Sequence, residues 1–312
     1  MPRLTTERYL QARAFLNDRA RELELTIFEH DFQSAPAWPV LDALAAFQNE
    51  DGGFGHGLEP DSRAPDSGAL ATSVALRTLV EVGAPASHPM VHAVAGYLEN
   101  SFERDSAVWR IVPLQAEEHP HAPWWTLDGL ETRFNGYKLN PKAEIVAQLR
   151  NLAAPVDRGW LDAQVAALVA EVEKAADEPG GLEMHDLIGA VRLLEAQGLP
   201  RELRLPLQRN LAELATTGLA AAAEGYGLRA LDLAPRPDSA LADVLADSVV
   251  VELDRLIATQ QADGAWWPQW DWGAEPDSDT DKAWRAAKVE WAGIITLRNL
   301  RILNAHGLVD RG

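Results

Sequence analysis

The segment LDALAAFQNEDGGF at residues 41–54 recurs as LDRLIATQQADGAW at residues 253–266. In both copies a helical pattern ends in Gln, two residues follow, and an Asp-Gly pair precedes an aromatic residue, Phe54 or Trp266. Each copy continues into a loop rich in Pro, Glu and Asp, and then into a strongly apolar segment of helical periodicity. Agreement in register over about forty residues predicts a duplicated structural unit.

Each residue type in the repeat has a local physical role. An Asp-Gly pair makes a tight turn with positive φ at Gly, and the Gln side chain can bond backbone groups exposed at the end of a helix. We expect the aromatic residue to pack over the joint between two helices. The segment 284–303 is apolar on most faces and needs cover all round. An inner ring of helices wrapped by an outer ring would supply that cover.

Helical periodicity dominates the rest of the chain. No alternation of apolar and polar residues predicts a strand, and the segment 109–141, rich in Pro and Gly, is irregular. We therefore expect an all-α protein in which residues 1–312 form one domain. The predicted helices cover residues 5–32, 36–48, 70–82, 87–100, 142–152, 160–176, 183–197, 201–217, 240–261 and 282–306.

The composition excludes several classes of function. Lys and Arg number 28 against 47 Asp and Glu, which gives a net charge of −19. This charge repels phosphate backbones and anionic lipids, so we expect neither nucleic acid as a partner nor membrane insertion. The absence of Cys excludes disulfides, thiolate nucleophiles and zinc sites built on Cys. With no apolar run of about 20 residues and a charged N-terminus unlike a signal peptide, we expect a cytoplasmic protein.

The segments QNEDGGF (48–54) and QQADGAW (260–266) resemble the QW-type repeats of squalene–hopene cyclases and the related repeat of protein prenyltransferases. The chain also resembles bacterial proteins of that superfamily that carry a Gly-Leu-Glu-Pro-Asp loop, here residues 57–61. The resemblance implies an α/α toroid of the (α/α)6 type, in which antiparallel helical hairpins form inner and outer rings. It implies less about the reaction, because one fold hosts many functions.

Two departures from the superfamily narrow the chemistry. Protein prenyltransferases hold catalytic zinc with Asp, Cys and His, and this chain has no Cys. Class II terpene cyclases protonate an alkene with the middle Asp of a DxDD motif. The nearest string here is Asp277-Ser-Asp279-Thr-Asp281, which lacks the adjacent pair of acids.

Two acidic loops follow the two copies of the repeat and supply the candidate catalytic residues. Glu59 and Asp61 follow the first copy, with Asp66 just before the next helix, and Asp277 and Asp279 follow the second. In a toroid such loops ring the mouth of the cavity, where one carboxyl group could donate a proton and another accept it. The alternative is that Asp66 or Ser67 caps the helix that begins near residue 70, and that the second loop is a solvated turn.

A third candidate acid lies on the last predicted helix. Glu290 is next to Trp291 in an apolar segment, so it could serve as a general acid. The competing account is a structural ion pair with Lys288 or an Arg.

The candidate substrate-binding residues are mostly aromatic. Tryptophans cluster in two loops, where they could stack on a sugar ring or enclose a carbocation, or else cover helix ends. His56 lies between glycines beside Glu59, and Tyr137 follows Asn135-Gly136 in the central loop. The proposed set is His56, Trp124, Trp125, Tyr137, Trp267 and Trp270, with Trp266 assigned to structure as the aromatic residue of the repeat.

Metal binding has little support in the sequence. His119, His121, His185 and Asp186 have suitable atoms, but no tight set of ligands such as His-x-x-x-His occurs. We expect no metal ligands and no required cofactor, with Mg²⁺ needed only if the substrate is a diphosphate.

Three functions remain open. The first is a terpenoid-cyclase-like enzyme that uses cavity carboxylates for acid–base chemistry on a small isoprenoid substrate. The second is a glycoside hydrolase or polysaccharide lyase on the (α/α)6 scaffold, which would need two carboxylates ~5–10 Å apart and Trp platforms. The third is a non-catalytic toroid that binds a ligand. The sequence leaves the oligomeric state open.

Overall fold

The computed structural model of the chain describes residues 2–178, 180–221 and 227–312. Within these residues the regular structure is helical, and β-pairing is confined to isolated bridges. The all-α prediction is therefore confirmed. The α-helices are α1 Thr6–Arg19, α2 Glu22–Gln33, α3 Trp38–Ala45, α4 Ala69–Glu81, α5 Pro89–Ser101, α6 Leu130–Arg133, α7 Lys142–Asn151, α8 Arg158–Asp177, α9 Met184–Leu194, α10 Arg201–Ala221, α11 Ala230–Leu233, α12 Ala246–Ala258 and α13 Asp279–Ala305, with 3₁₀ turns at Leu114–Glu118, Pro123–Trp125 and Asn135–Tyr137.

The first predicted helix is two helices. The periodicity predicted continuity over residues 5–32, but Ala20 and Arg21 have extended backbone with ψ of 162° and 157°. The Arg21 guanidinium folds onto the first turn of α2, where it lies 2.6 Å from Glu24 Oε1, and both side chains are largely buried. Neither residue is a helix breaker by type, so the break depends on packing and was not visible in the pattern.

The helices group into two compact units, one of which contains residues 48–54 of the repeat and the other residues 260–266. One unit comprises residues 44–218, and the other comprises residues 1–43 and 219–312. The two ends of the chain meet in the unit formed by residues 1–43 and 219–312. The Leu4 amide donates to the Leu308 carbonyl at 2.8 Å, and the Asp310 amide donates to the Leu4 carbonyl at 2.9 Å. Helix α1 packs against α13 and α2 there.

Helix α7 lies at the centre of the unit 44–218, where it packs against α4, α8 and α9. Glu144 of α7 accepts hydrogen bonds from Arg77 of α4, at 3.0 Å, and from Arg192 of α9. Burial opposes the ionisation of Glu144, but the charges of Arg192 and Arg77 outweigh it and lower its pKa. This ion triad ties three helices together, and loss of the central carboxylate would leave two guanidinium groups facing each other.

Among the residues that the structure describes, none of the helices combines the length and apolar character needed to cross a membrane.

Candidate functional site

The two copies of the repeat form the same hydrogen-bonded corner, at residues 48–54 in the first copy and residues 260–266 in the second. Gln48 Nε2 donates to the Gly52 carbonyl at 3.0 Å, and Gln260 Nε2 donates to the Gly264 carbonyl at 2.8 Å. Both glycines have φ of 89°. A Cβ on either glycine would lie 2.3 Å from a carbonyl oxygen of a neighbouring helix, that of Ala93 in α5 or of Gln11 in α1. The predicted positive φ at Gly is confirmed in both copies, whereas each Gln bonds a carbonyl of the turn rather than one at the end of its helix.

The repeat aromatics are fixed by the helix that follows each corner. The amide of Phe54 donates to Thr72 Oγ1 of α4, and the amide of Trp266 donates to Thr296 Oγ1 of α13, both at 3.1 Å. Phe54 is fully buried, and Trp266 is nearly so. Each corner therefore joins one helix end to the flank of an apolar helix, as the pattern predicted.

The loop after the first corner is closed by backbone hydrogen bonds. The His56 amide donates to the Ala64 carbonyl at 3.0 Å, and the Gly68 amide donates to the Phe54 carbonyl at 3.0 Å. The segment 120–122 covers this loop, because the Arg63 amide donates to Pro120 and the Ala122 amide donates to the carbonyl of Asp61. The Gly-Leu-Glu-Pro-Asp sequence is thus held as a rigid, largely buried turn.

Glu59 lines a narrow cleft in this unit that opens to solvent. The walls are mainly apolar, and the lining includes Leu58, Leu70 and Ile111, with the acids Glu59 and Asp66 and the hydroxyl-bearing Ser62. Glu59 is only 8 % exposed, whereas Asp66 is half-buried. Gly68 is the N-cap residue of α4 and no side chain caps that helix, so the alternative in which Asp66 or Ser67 caps α4 is wrong.

Asp61 and His56, the other two candidate residues of this loop, differ in burial. Asp61 is buried, with 4 % of its surface exposed, but it does not line the cleft. His56 is exposed, with φ of 54°, and its Nε2 lies 2.8 Å from Asn49 Oδ1. Asn49 Nδ2 donates to the Pro65 carbonyl and to Ser67 Oγ, so the oxygen of Asn49 accepts and His56 Nε2 carries the proton.

The acids after the second corner form the start of α13. Asp279 and Asp277 are 90 % and 88 % exposed and pair with Lys282 and Arg285. The hydroxyl of Ser278, the N-cap residue, accepts from the amide of Asp281 at 3.0 Å. The hydrogen bond from Lys282 lowers the pKa of Asp279. This arrangement is that of a solvated, charged helix cap, which is the alternative that the sequence left open.

Glu290 belongs to the same unit as these exposed acids and is half-buried. The burial that would make it a general acid is therefore incomplete. Its neighbour Trp291 packs edge-on against Trp270, with ring centroids 5.1 Å apart.

The candidate aromatic side chains of the central loop mostly pack against other residues of the protein. Trp125 is 7 % exposed and stacks on Phe134, with ring centroids 5.2 Å apart. Trp124 is half-buried. Tyr137 is buried, and desolvation raises its pKa. Of these three, Trp124 offers the most surface to a ligand.

The aromatics of the second copy pack on one another. Trp267 meets Phe15 edge-on at 5.8 Å, and Trp272 stacks on Trp284 at 5.5 Å. The indole of Trp267 also donates from Nε1 to Asp263 Oδ2 at 3.1 Å. These contacts give Trp267 a role in the core of its unit.

Sequence reasoning missed the role of Asp186, which it considered only as a metal ligand. Its carboxylate accepts from Asn135 Nδ2 at 3.2 Å and from the Asn140 amide at 3.0 Å. It thereby fixes the segment 135–137, in which three consecutive residues have positive φ. Burial raises the pKa of Asp186 to about 6. The pair Asn135-Gly136, in which both residues tolerate positive φ, was a signal for this turn but not for the side chain that holds it.

Across the described parts of the chain, no group of three or more His, Asp and Glu residues is placed to hold a metal ion. The chain matches no family model, no curated protein and no solved structure.

Proposed function

We propose that this protein is an enzyme that performs acid–base chemistry on a small, mainly apolar substrate of the isoprenoid kind, with Glu59 as the group that exchanges a proton with the substrate. The observation that carries the proposal is the placement of Glu59, a nearly buried carboxyl group that faces an apolar cleft. Burial of this carboxyl group strengthens its electrostatic interactions with a bound molecule. Asp66, at the same cleft, is the second acid–base group.

The size of the cleft constrains the substrate. The space that the cleft encloses is small, about 20 Å³, so only a narrow part of a ligand enters it without movement of the walls. A short isoprenoid chain suits this space better than a triterpene does. The proposal includes the α/α toroid that the repeat resemblance implies, and the duplicated corner supports it.

The carbohydrate alternative has less support. Such a site needs aromatic platforms open to a sugar ring, and Trp125 is covered by Phe134. The acids of the second copy are exposed and paired with basic side chains.

The test compares Glu59→Gln with Asp279→Asn, which removes an exposed acid of the second copy. The purified proteins are incubated with geranyl diphosphate, farnesyl diphosphate and squalene, with and without Mg²⁺, and the products are analysed by mass spectrometry. We expect turnover of the shortest substrate, a loss of about 100-fold or more in Glu59→Gln, and no change in Asp279→Asn. Absence of product from every substrate with the unaltered protein rejects the proposal. Substrate binding without turnover, unchanged in Glu59→Gln, would instead identify a non-catalytic binding protein.

A further inference from the structure

A short antiparallel bridge joins the first acidic loop to the segment 120–122. Two backbone hydrogen bonds, of 3.0 and 2.8 Å, connect residues 61–63 with this segment. They flank Ser62 and His121, which therefore stand directly opposite each other and exchange no backbone hydrogen bond. The side chains of such a pair project from the same face of the bridge, with Cβ atoms about 4.5–5.5 Å apart.

The face that carries the side chain of Ser62 is the one that lines the cleft of Glu59. Along residues 61–66 the even-numbered positions line this cleft and the odd-numbered positions do not. Such alternation is typical of an extended segment, in which every second side chain points to the same side. His121 shares that side because it is opposite Ser62. A hydroxyl group and an imidazole thus meet at the edge of the cleft.

The imidazole of His121 is oriented by the backbone of His119. Its Nδ1 lies 2.7 Å from the His119 carbonyl oxygen. Because a carbonyl oxygen can only accept, Nδ1 carries the proton, and Nε2 of the neutral ring presents a lone pair. A general base needs such a fixed tautomer, and the carbonyl has the orienting role that a carboxylate has in a Ser-His-Asp triad.

The reactive atoms of the pair are accessible. Ser62 and His121 are both half-buried. Among the residues that the structure describes, none forms a hydrogen bond with the Ser62 hydroxyl or with Nε2 of His121. Both atoms are therefore available to a bound molecule and to each other. Hydrogen bonds between catalytic groups are often long before substrate binds and tighten in the complex.

We infer that Ser62 and His121 are a nucleophile and its general base, and that they give this cleft a second activity, the hydrolysis of a neutral ester with a small acyl group. The acyl group is one as small as acetyl, because the cleft encloses only about 20 Å³. The ester is neutral, because the carboxyl groups of Glu59 and Asp66 line the same cleft and repel an anion.

The reaction has two steps. In the first, Ser62 Oγ attacks the carbonyl carbon of the ester, and its proton passes to Nε2 of His121. The bond from that carbon to the alcohol oxygen breaks, and the alcohol leaves with the proton. In the second step a water molecule attacks the acyl-serine and gives a proton to Nε2. The bond to Oγ breaks, Oγ takes the proton back, and the free acid is released.

The experiment mixes the full-length protein with p-nitrophenyl acetate, follows the release of nitrophenol, and maps the acetylated peptides after an acid quench. We expect an initial burst of nitrophenol and an acetyl group on Ser62. Ser62→Ala should abolish the burst, and His121→Ala should slow it about 100-fold or more. The matched controls are Ser106→Ala and His92→Ala, at exposed positions of the same unit, which should react as the unaltered protein does.

Three results would overturn the inference. One is the absence of acetyl from Ser62 of the unaltered protein at every quench time, which is decisive even if Ser62→Ala does not fold. Another is an unchanged burst in a folded Ser62→Ala. The third is an unchanged rate in a folded His121→Ala. The test is separate from that of the isoprenoid proposal, because the diphosphates and squalene carry no acyl group, so either proposal can fail alone.

Discussion

Asp186 shows how one buried side chain can couple local geometry to pH. It is 2 % exposed and accepts two hydrogen bonds from the segment 135–140. Its pKa rises from 3.8 to about 6, first because burial disfavours the charged form and, to a smaller extent, because Glu183 adds negative charge. The folded protein therefore holds this proton more tightly than the unfolded chain does. The resulting stability is fully present below about pH 4 and is lost as the pH rises through about 6.

We predict that Asp186→Asn removes this pH dependence. Asn resembles the neutral acid in shape and keeps an acceptor oxygen. The free energy of unfolding of the variant, relative to the unaltered protein, should thus increase by up to about 3 kcal/mol between pH 4 and pH 7. Urea denaturation at several pH values measures the difference, in which the other carboxyl groups cancel. The control is Asp128→Asn, at an exposed position. Parallel stability curves for the variant and the unaltered protein would contradict the prediction.

Glu59 and Asp279 occupy similar places in the sequence but differ in burial. Both follow a copy of the repeat in an acidic loop, yet Glu59 is 8 % exposed and Asp279 is 90 % exposed. The first loop is bonded to the segment 120–122 through Asp61 and Arg63. Local sequence is therefore a poor guide to which of two similar acids is shielded from water.

At the scale of the element, the corner is the unit that the chain uses twice. Its Gln, its Gly at φ of 89° and its Thr-bound aromatic amide have the same geometry in both copies. The Thr belongs to the following helix and lies 18 or 30 residues after the aromatic residue. The different spacings show that the corner tolerates loops of different length, because only its two ends need to be fixed.

We predict that Thr72→Val and Thr296→Val destabilise the protein by similar amounts, about 1–3 kcal/mol each, because each leaves a buried backbone N–H without an acceptor. Both Thr side chains are fully buried. Chemical denaturation followed by circular dichroism gives the free energies of unfolding.

The control for this pair is Thr216→Val. Thr216 is exposed, and its hydroxyl bonds only within its own helix, so the expected change is within about 0.5 kcal/mol. If one corner variant is as stable as the control, the two corners are not equivalent in energy, whatever their geometry.

At the scale of the whole molecule, the chain is a strongly acidic protein organised as two compact units. One unit is continuous, and the other is assembled from both ends of the chain. The net charge of −19 means that the compact state brings like charges together. Salt screens such repulsion over a Debye length that falls from about 30 Å at 0.01 M to about 3 Å at 1 M.

We predict that the midpoint of thermal unfolding rises with ionic strength. Relief of about 1 kcal/mol of repulsion would raise it by roughly 2–4 °C between 0.01 M and 0.5 M NaCl. Differential scanning calorimetry measures the midpoint. A variant in which the exposed acids Glu118, Glu213 and Asp243 are replaced by Lys should show a smaller rise. A midpoint that falls with salt, or a slope that the variant does not change, would count against self-repulsion as the cause.

The sequence by itself determined the all-helical structure and the two corners, because helical periodicity and the turn chemistry of Asp-Gly act over a few residues. It also supplied Glu59 as a candidate, since the acidic loop is adjacent to the first corner. Only the tertiary structure decided that the helix predicted over residues 5–32 breaks at Ala20–Arg21. It also decided that Asp277 and Asp279 remain in solvent, and that Trp267 packs edge-on against Phe15. These outcomes depend on which distant side chains arrive at each position, and burial is a property of the packed whole that no local pattern contains.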